Sequence, residues 1–233
     1  MFDYIDKKGL NLTELEKKNL KKFEELLLEW NNKFNLTSIK EEKEIEIKHF
    51  EDSLQGEKLF PKNKKVVEVG SGGGFPSIPL LIKRSDLEFT LIESTGKKCE
   101  FLTMVVDNLS LNAKVLNKRA EDVGKSELRE SFDIVTARAV ASLNTLCEYC
   151  LPLIKVGGLF IAYKGINEDE FLSAEKAIKI LGGEVINVYK YSLSENLGDR
   201  IIYVIKKVNK TPSIYPRGNG KERSKPLWTT LIF

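Results

Sequence analysis

Histidine occurs once in this 233-residue chain, at His49, and cysteine three times, at Cys99, Cys147 and Cys150. Cys147 and Cys150 form a Cys-x-x-Cys pair, but zinc needs two further ligands and there is no second pair, so no metal site is expected. A redox pair wants a helix N-terminus in a thioredoxin-like setting. These two cysteines lie in an apolar helical stretch and read as buried core thiols. An odd cysteine count fits a reducing compartment, and a cytoplasmic location is expected. His49, close to Asp52 in sequence, reads as a hydrogen-bonded structural residue rather than a proton shuttle. No apolar run reaches membrane-spanning length, and the N-terminus lacks the apolar segment of a secretory signal, so no membrane partner is expected. Internal repeats, low-complexity stretches and Pro/Gly/Ser-rich linkers are also missing.

What is present is an ordinary globular composition, 42% hydrophobic and 30% charged, in a chain long enough to bury a core without staples. Net charge is only +3, but residues 206–225 hold seven bases and one acid, a net +6 that leaves −3 for the remainder. A basic tail on a mildly acidic body suits an anionic partner held at one end, or a solvated surface.

Hydrophobic spacing predicts two N-terminal helices. Thr13 and Glu16 have capping-box spacing, and Leu15, Leu20, Phe23, Leu26, Leu27, Trp30 and Phe34 follow at helical intervals. Ser38 and Glu41 repeat the box, and Ile45, Phe50 and Leu54 continue it to about Gly56. From there strands predicted at 66–69, 88–92, 114–117, 132–136 and 159–163 alternate with helices at 76–84, 97–109, 142–151 and 168–181. Gly157-Gly158 reads as the turn into the fifth strand. Strands at 184–191 and 200–208 are joined too closely for a helix and must pair antiparallel. The pattern is α/β: a mostly parallel seven-stranded sheet with one antiparallel strand. The chain divides into an N-terminal helical extension (1–60), a sheet domain (61–208) and a basic tail packing on it (209–233).

The chain is organised around Glu68-Val69-Gly70-Ser71-Gly72-Gly73-Gly74-Phe75-Pro76. A buried strand enters a loop with four glycines in five positions, and Pro76 is expected to open the next helix. In an open α/β sheet the loop leaving the first strand faces the ligand crevice. The dinucleotide fingerprint Gly-x-Gly-x-x-Gly begins at Gly70 and Gly72 but meets Phe75 at its third glycine. That residue hinders close helix–strand packing, and Pro76 removes a donor from the helix start, so a pyrophosphate ligand is disfavoured. Glu93 ends the second strand where a carboxylate can accept ribose hydroxyls. Together these features point to an adenosine ligand without pyrophosphate, a description that S-adenosylmethionine meets.

This stretch, continued by Ile78-Pro79-Leu80, resembles the first motif of RsmG (GidB), the bacterial 16S rRNA guanine-N7 methyltransferases. The resemblance runs along the chain through Asn35-Leu36-Thr37, His49-Phe50-Glu51-Asp52-Ser53, Lys97-Lys98, Phe101-Leu102, Arg119-Ala120-Glu121, Arg138-Ala139, Lys164-Gly165, Tyr215-Pro216-Arg217 and Pro226-Leu227. Ser77 stands where the family usually has glycine, and Glu222 and Ser224 replace a proline and a lysine of the tail. The resemblance implies a Rossmann-like class I methyltransferase fold and methyl transfer from S-adenosylmethionine to a guanine N7. The implied partner is 16S rRNA or the small ribosomal subunit, and a monomer is expected. The resemblance also implies methyl-donor contacts at Gly70, Phe75, Ala120, Glu121 and Arg138, with Gly72 and Glu93 added from the loop reading. Arg138 would suit the donor's carboxylate, a substrate phosphate or a structural acid.

Lys97, Lys98 and Lys164 follow strand ends on the expected ligand side. With Arg217, Lys221, Arg223 and Lys225 of the tail they are candidates for RNA contact, or ordinary solvated bases. Tyr215 and Trp228 could stack on unpaired bases or anchor the tail. Guanine N7 has a free lone pair and no proton to remove, so the reaction needs no general base, and no catalytic residue is assigned. Methylation of a small molecule, RNA binding without catalysis and dinucleotide-dependent redox chemistry are the competing readings; the first of these leaves the basic tail unexplained.

Overall fold

Valine at 66, 67 and 69 places the first strand in the middle of the sheet, where both faces are covered. In the computed structural model, which describes residues 2–227, β1 (Lys65–Val69) pairs in parallel with β2 (Glu88–Glu93) on one side and β4 (Phe132–Arg138) on the other. The strands β3 (Ala113–Asn117), β5 (Ile154–Gly165), β6 (Gly183–Ser192) and β7 (Asp199–Lys207) complete the order β3-β2-β1-β4-β5-β7-β6. Only β7 runs against its neighbours, antiparallel to both β5 and β6. The order reverses between β1 and β4, so the carboxyl ends of these strands border the switch-point crevice.

The fifth strand is longer than the sequence pattern predicts. Phe132 pairs with Ile154 while Ile134 pairs with Leu159, so the intervening residues bulge out of β5. Gly157-Gly158 therefore sits inside the strand instead of starting it. Gly157 takes φ +91, and a side chain on Gly158 would meet the Asp133 carbonyl at 2.5 Å.

Ten α-helices accompany the sheet among the described residues: α1 (Asp3–Lys7), α2 (Glu14–Asn31), α3 (Glu42–Ile45), α4 (Asp52–Gln55), α5 (Ser77–Lys83), α6 (Gly96–Asn108), α7 (Ala120–Val123), α8 (Leu143–Cys150), α9 (Glu168–Ile180) and α10 (Lys221–Ser224). The capping box of α2 forms: the Thr13 N–H donates to Glu16 at 2.7 Å and the Glu16 N–H to Thr13 Oγ1 at 3.3 Å. Leu20, Phe23, Leu26 and Leu27 are buried, whereas Leu15, one turn earlier, faces solvent. The second predicted box does not form, because α3 starts only after Glu41. A π-helical turn, Glu46–Glu51, joins α3 to α4 and carries His49. Pro76 lies just outside α5 rather than in its first turn.

Successive residues of β1 face opposite sides of the sheet. Val66 joins a core with Phe23, Phe50, Phe75 and Phe101, built by the N-terminal helices, α5 and α6. Val67 and Val69 join a second core with Leu146, Cys147, Cys150 and Ala177 under α8 and α9. Both α8 thiols are fully buried, and burial raises their pKa values far above the ordinary range, so they are packing groups.

The tail returns across the α8 side. Buried Lys207 donates to the Leu151 carbonyl and Thr211 Oγ1 and pairs with Glu130, while burial lowers its ammonium pKa to about 8. Arg129 donates to the carbonyls of Gly124 (3.0 Å), Thr211 (2.8 Å) and Tyr215 (2.7 Å). Arg217 then binds the buried carboxylate of Glu148 through Nε (2.8 Å), Nη2 (2.7 Å) and its own N–H (2.9 Å). Arg217→Ala leaves that carboxylate with the backbone donor alone among these, and removing one partner of a buried pair costs roughly 3–5 kcal/mol. The expected result is a protein less stable by about 3 kcal/mol with faster amide exchange over residues 211–225; unchanged exchange there would refute the anchoring role. Trp228 lies outside the described residues.

Candidate active site

The glycine turn closes back on β2: the N–H groups of Gly70 and Ser71 both donate to the Ile92 carbonyl, at 2.9 and 3.1 Å. Gly70 takes φ +72, a left-handed conformation that other residues adopt at a cost. A Cβ there would stand 2.7 Å from a methyl of Val140, in the loop after β4. Glu93 holds the turn from outside, accepting the Gly72 N–H at 3.0 Å and the Thr95 N–H at 2.8 Å.

Beside this turn opens a cavity of about 630 Å³, a volume that suits a cofactor-sized ligand. Val69, Gly70, Ile92 and Ser94 line it from the ends of β1 and β2. Ala120 and Glu121 line it from α7, and Val140 and Tyr149 from the β4–α8 side. The tail adds a further wall, at Gly218, Asn219, Gly220 and Arg223. Three of the expected donor residues, Gly70, Ala120 and Glu121, thus meet at one cavity. Gly72 and Glu93 stand behind the turn and shape it. Tyr149, Val140 and the tail residues Gly218–Gly220 carried no sequence signal for this role, because they reach the cavity only through folding of distant segments.

Phe75 and Arg138 are placed elsewhere. Phe75 is buried, stacked on His49 with ring centroids 4.2 Å apart and packed against Phe23 and Phe50. The Arg138 guanidinium lies 5.1 Å from the Phe75 ring and donates to Asp52 (2.6 Å), the Lys48 carbonyl (2.9 Å) and His49 Nδ1 (3.0 Å). Burial and the adjacent Arg138 hold the imidazole pKa down at about 3, so His49 is neutral. With Nδ1 accepting, its proton sits on Nε2 and is shared with Thr37 Oγ1 at 2.9 Å. Asp52 also accepts the Tyr191 hydroxyl at 2.7 Å. Arg138 therefore ties the N-terminal extension to the end of β4. It also lines a second cavity, about 320 Å³, with His49, Asp52, Ala139, Lys164 and Arg200. The loop after β4 contributes to both cavities, Val140 to the larger one and Ala139 to the smaller.

Glu68 lies under the turn, fully buried. It accepts the Ser77 hydroxyl at 2.5 Å and the Ser77 N–H at 3.3 Å. Burial raises its pKa to about 7 from an ordinary 4.5, against the opposing pull of the Ser77 bonds. A carboxyl raised in the folded state holds its proton more firmly there. Its contribution to stability is complete below pH 4.5 and is lost as pH rises through 7. The stability difference between the native protein and Glu68→Gln should therefore change by on the order of 3 kcal/mol between pH 4.5 and 8. Calorimetric unfolding of both proteins across that range checks this, and parallel pH profiles would contradict it.

The predicted RNA-contact bases differ in freedom. Lys164 is held by Glu170 at 2.6 Å and the Ala141 carbonyl at 2.7 Å, and Arg217 is committed to Glu148. Lys97 pairs with Glu100 beside the Phe34 ring, and Lys98 is half-buried. Lys221, Arg223 and Lys225 are exposed. Glu222 between them is buried, its carboxylate accepting the Gly218 N–H and its carbonyl the Thr145 hydroxyl at 3.0 Å. Lys118, Arg119 and Lys125, which were not among the expected RNA contacts, add bases to the rim of the larger cavity.

Comparison with known proteins agrees with this architecture. The profile of the GidB family, described as rRNA small subunit methyltransferase G, matches residues 16–197. Curated proteins named ribosomal RNA small subunit methyltransferase G are similar over nearly the whole chain. That of Alkaliphilus oremlandii is 45% identical, covering 94% of this chain and 95% of its own. That of Brevibacillus brevis is 46% identical, covering 94% of each. Among solved structures, a SAM-dependent O-methyltransferase from Thermotoga maritima superposes with a TM-score of 0.54 at 14% identity, covering 80% of this chain and 72% of that one. TYW2 of M. jannaschii in complex with AdoMet gives 0.52 at 17% identity, covering 68% and 75%. At such identities the likeness carries the fold alone: the Rossmann-like sheet of the S-adenosylmethionine-dependent methyltransferases. With the profile spanning most of its length and relatives above 40% identity end to end, the chain belongs to the rRNA small subunit methyltransferase G family.

Proposed function

We propose that this protein transfers a methyl group from S-adenosylmethionine to N7 of a guanine in 16S rRNA, acting as a cytoplasmic monomer on the RNA or the small subunit. The observation that carries the reading is the pair of cavities at the carboxyl edge of the sheet, one beside the glycine turn and one beside Arg138, each lined in part by the loop after β4. The donor fits the larger cavity, where Gly70 presents no side chain and Val69, Ile92, Val140 and Tyr149 offer apolar surface. Ala120 and Glu121 would flank its adenine, and Glu93 with Gly72 would shape the ribose end. Phe75 and Arg138 would act from behind, fixing the boundary between the cavities. The guanine is assigned to the smaller cavity.

S-adenosylmethionine supplies an electrophilic methyl on a positively charged sulfur. Guanine N7 needs no deprotonation, so the protein has to align the two and exclude water. Orientation of this kind is worth up to roughly 7–11 kcal/mol. The neutral, hydrogen-bonded His49 and the paired Arg138 suit that task, as rigid groups beside an uncharged reacting atom.

Incubation of the protein with labelled S-adenosylmethionine and small subunits lacking the modification should place label in 16S rRNA, at a guanine that becomes cleavable by reduction and aniline. Absence of label from the rRNA would end the assignment. Label at a position resistant to that cleavage would leave rRNA methylation standing and remove N7.

A further inference from the structure

The tail has two faces with different chemistry. Its inner face closes the larger cavity through Gly218, Asn219 and Gly220, which take φ +79, +55 and +71 and so form one tight left-handed turn. Its outer face carries Lys221 and Lys225, exposed and not part of the cavity wall. The segment is fixed at its start by Arg217 on Glu148 and from below by Glu222, whose second carboxylate oxygen is buried without a partner. It touches the loop after β4 where Arg223 donates to the Val140 carbonyl at 3.3 Å, and Val140 in turn occupies the space over Gly70. Across the cavity mouth stand Lys118, Arg119 and Lys125. Lys125 also reaches back to the Arg217 carbonyl at 3.2 Å.

We propose that residues 217–225 form a strap shared by donor and RNA: backbone phosphates of the RNA, drawn to Lys221, Lys225 and the cations opposite, press it onto the donor, so that each ligand tightens the binding of the other. The proposal rests on the rRNA methyltransferase reading and adds to it a linkage between the two substrates. Charge supports RNA as the outer occupant, because the cavity rim and strap together present Lys118, Arg119, Lys125, Lys221, Arg223 and Lys225 against the two rim acids Glu121 and Asp122. Phosphate binding to such a set releases counterions and is strongly salt-dependent. Mutual tightening follows because donor and RNA bear on opposite faces of the same segment, so that a position favoured by one is favoured for the other, and the effect is reciprocal.

The test measures labelled S-adenosylhomocysteine binding by equilibrium dialysis, with and without unmethylated small subunits. The wild-type protein and a Lys221→Gln/Lys225→Gln variant are compared. Wild-type affinity should rise about fivefold or more on adding subunits, within the usual range for linked sites. The rise should shrink with added salt and be lost in the variant, whose affinity without subunits matches wild type. Unchanged wild-type affinity on adding subunits would overturn the linkage, as would a full rise in the variant. Methyl transfer assayed on the same preparations separates the two readings. Label entering rRNA without linkage removes the strap proposal alone, whereas no label removes the methyltransferase reading on which it rests.

Discussion

Gly70→Ala should weaken S-adenosylmethionine binding at least tenfold while leaving the chain folded. Two costs combine at this position. The backbone sits at φ +72, where a residue with a Cβ loses roughly 1–2 kcal/mol. The new methyl would also stand 2.7 Å from Val140, whose branched side chain cannot swing away freely. Relieving that overlap pushes the loop after β4 or opens the turn, and both line the larger cavity, where the donor is proposed to bind. Overpacking of this kind typically costs about 1–3 kcal/mol. Because the strand below is buried on both faces, the damage should fall on the cavity rather than on the sheet. Calorimetric titration with S-adenosylmethionine, alongside thermal unfolding, measures both; near-native affinity would show that the turn tolerates a side chain and that Gly70 is not needed for the ligand.

Asp52→Ala should be the most destabilising single change at the second cavity. Asp52 is almost fully buried, accepts from Arg138 at 2.6 Å and from the Tyr191 hydroxyl at 2.7 Å, and lies 3.6 Å from Arg200. Its removal leaves a half-buried guanidinium with only the Lys48 carbonyl and a neutral imidazole to hold it. Loss of one partner from such a pair costs roughly 3–5 kcal/mol. For a chain of this size that lowers the unfolding midpoint by about 10 °C. Methyl transfer should fall as well, since Arg138 stacks on Phe75 and lines the smaller cavity, where the guanine is proposed to sit. Asp52→Ala combined with Arg138→Ala should cost less than the sum of the two, with a coupling of about 2 kcal/mol. Strict additivity would mean that the pair is incidental.

The sheet was legible because its strands are short apolar runs between glycine, proline and polar breaks, and because 192–199 is too short to hold a crossover helix. The π-helical turn at His49 was not legible, since Ile45, Phe50 and Leu54 satisfy helical spacing whether or not one turn is widened. The bulge in β5 hid behind Gly157-Gly158, which reads equally well as a turn. At the site, the glycine turn stood out because it follows a strand end directly, whereas Arg119-Ala120-Glu121 was marked only by the family resemblance. Arg138 allowed three partners on paper; folding supplied Asp52 from 86 positions away, a choice no local pattern contains. The cavity wall at Gly218–Gly220 was hidden for the same reason, and the surrounding lysines drew attention to charge rather than to closure.

Arg129 grips the tail solely through main-chain oxygens, at Thr211 and Tyr215, and does the same to its own neighbour Gly124. A carbonyl is the same acceptor whatever side chain its residue bears. The clamp therefore prescribes the path of the tail and is indifferent to its lettering. Substitution at the exposed positions 212–214 need not displace the wall that the next residues build, provided the backbone keeps its course. Such an arrangement lets the outer surface change its chemistry while the shape of the cavity behind it is kept.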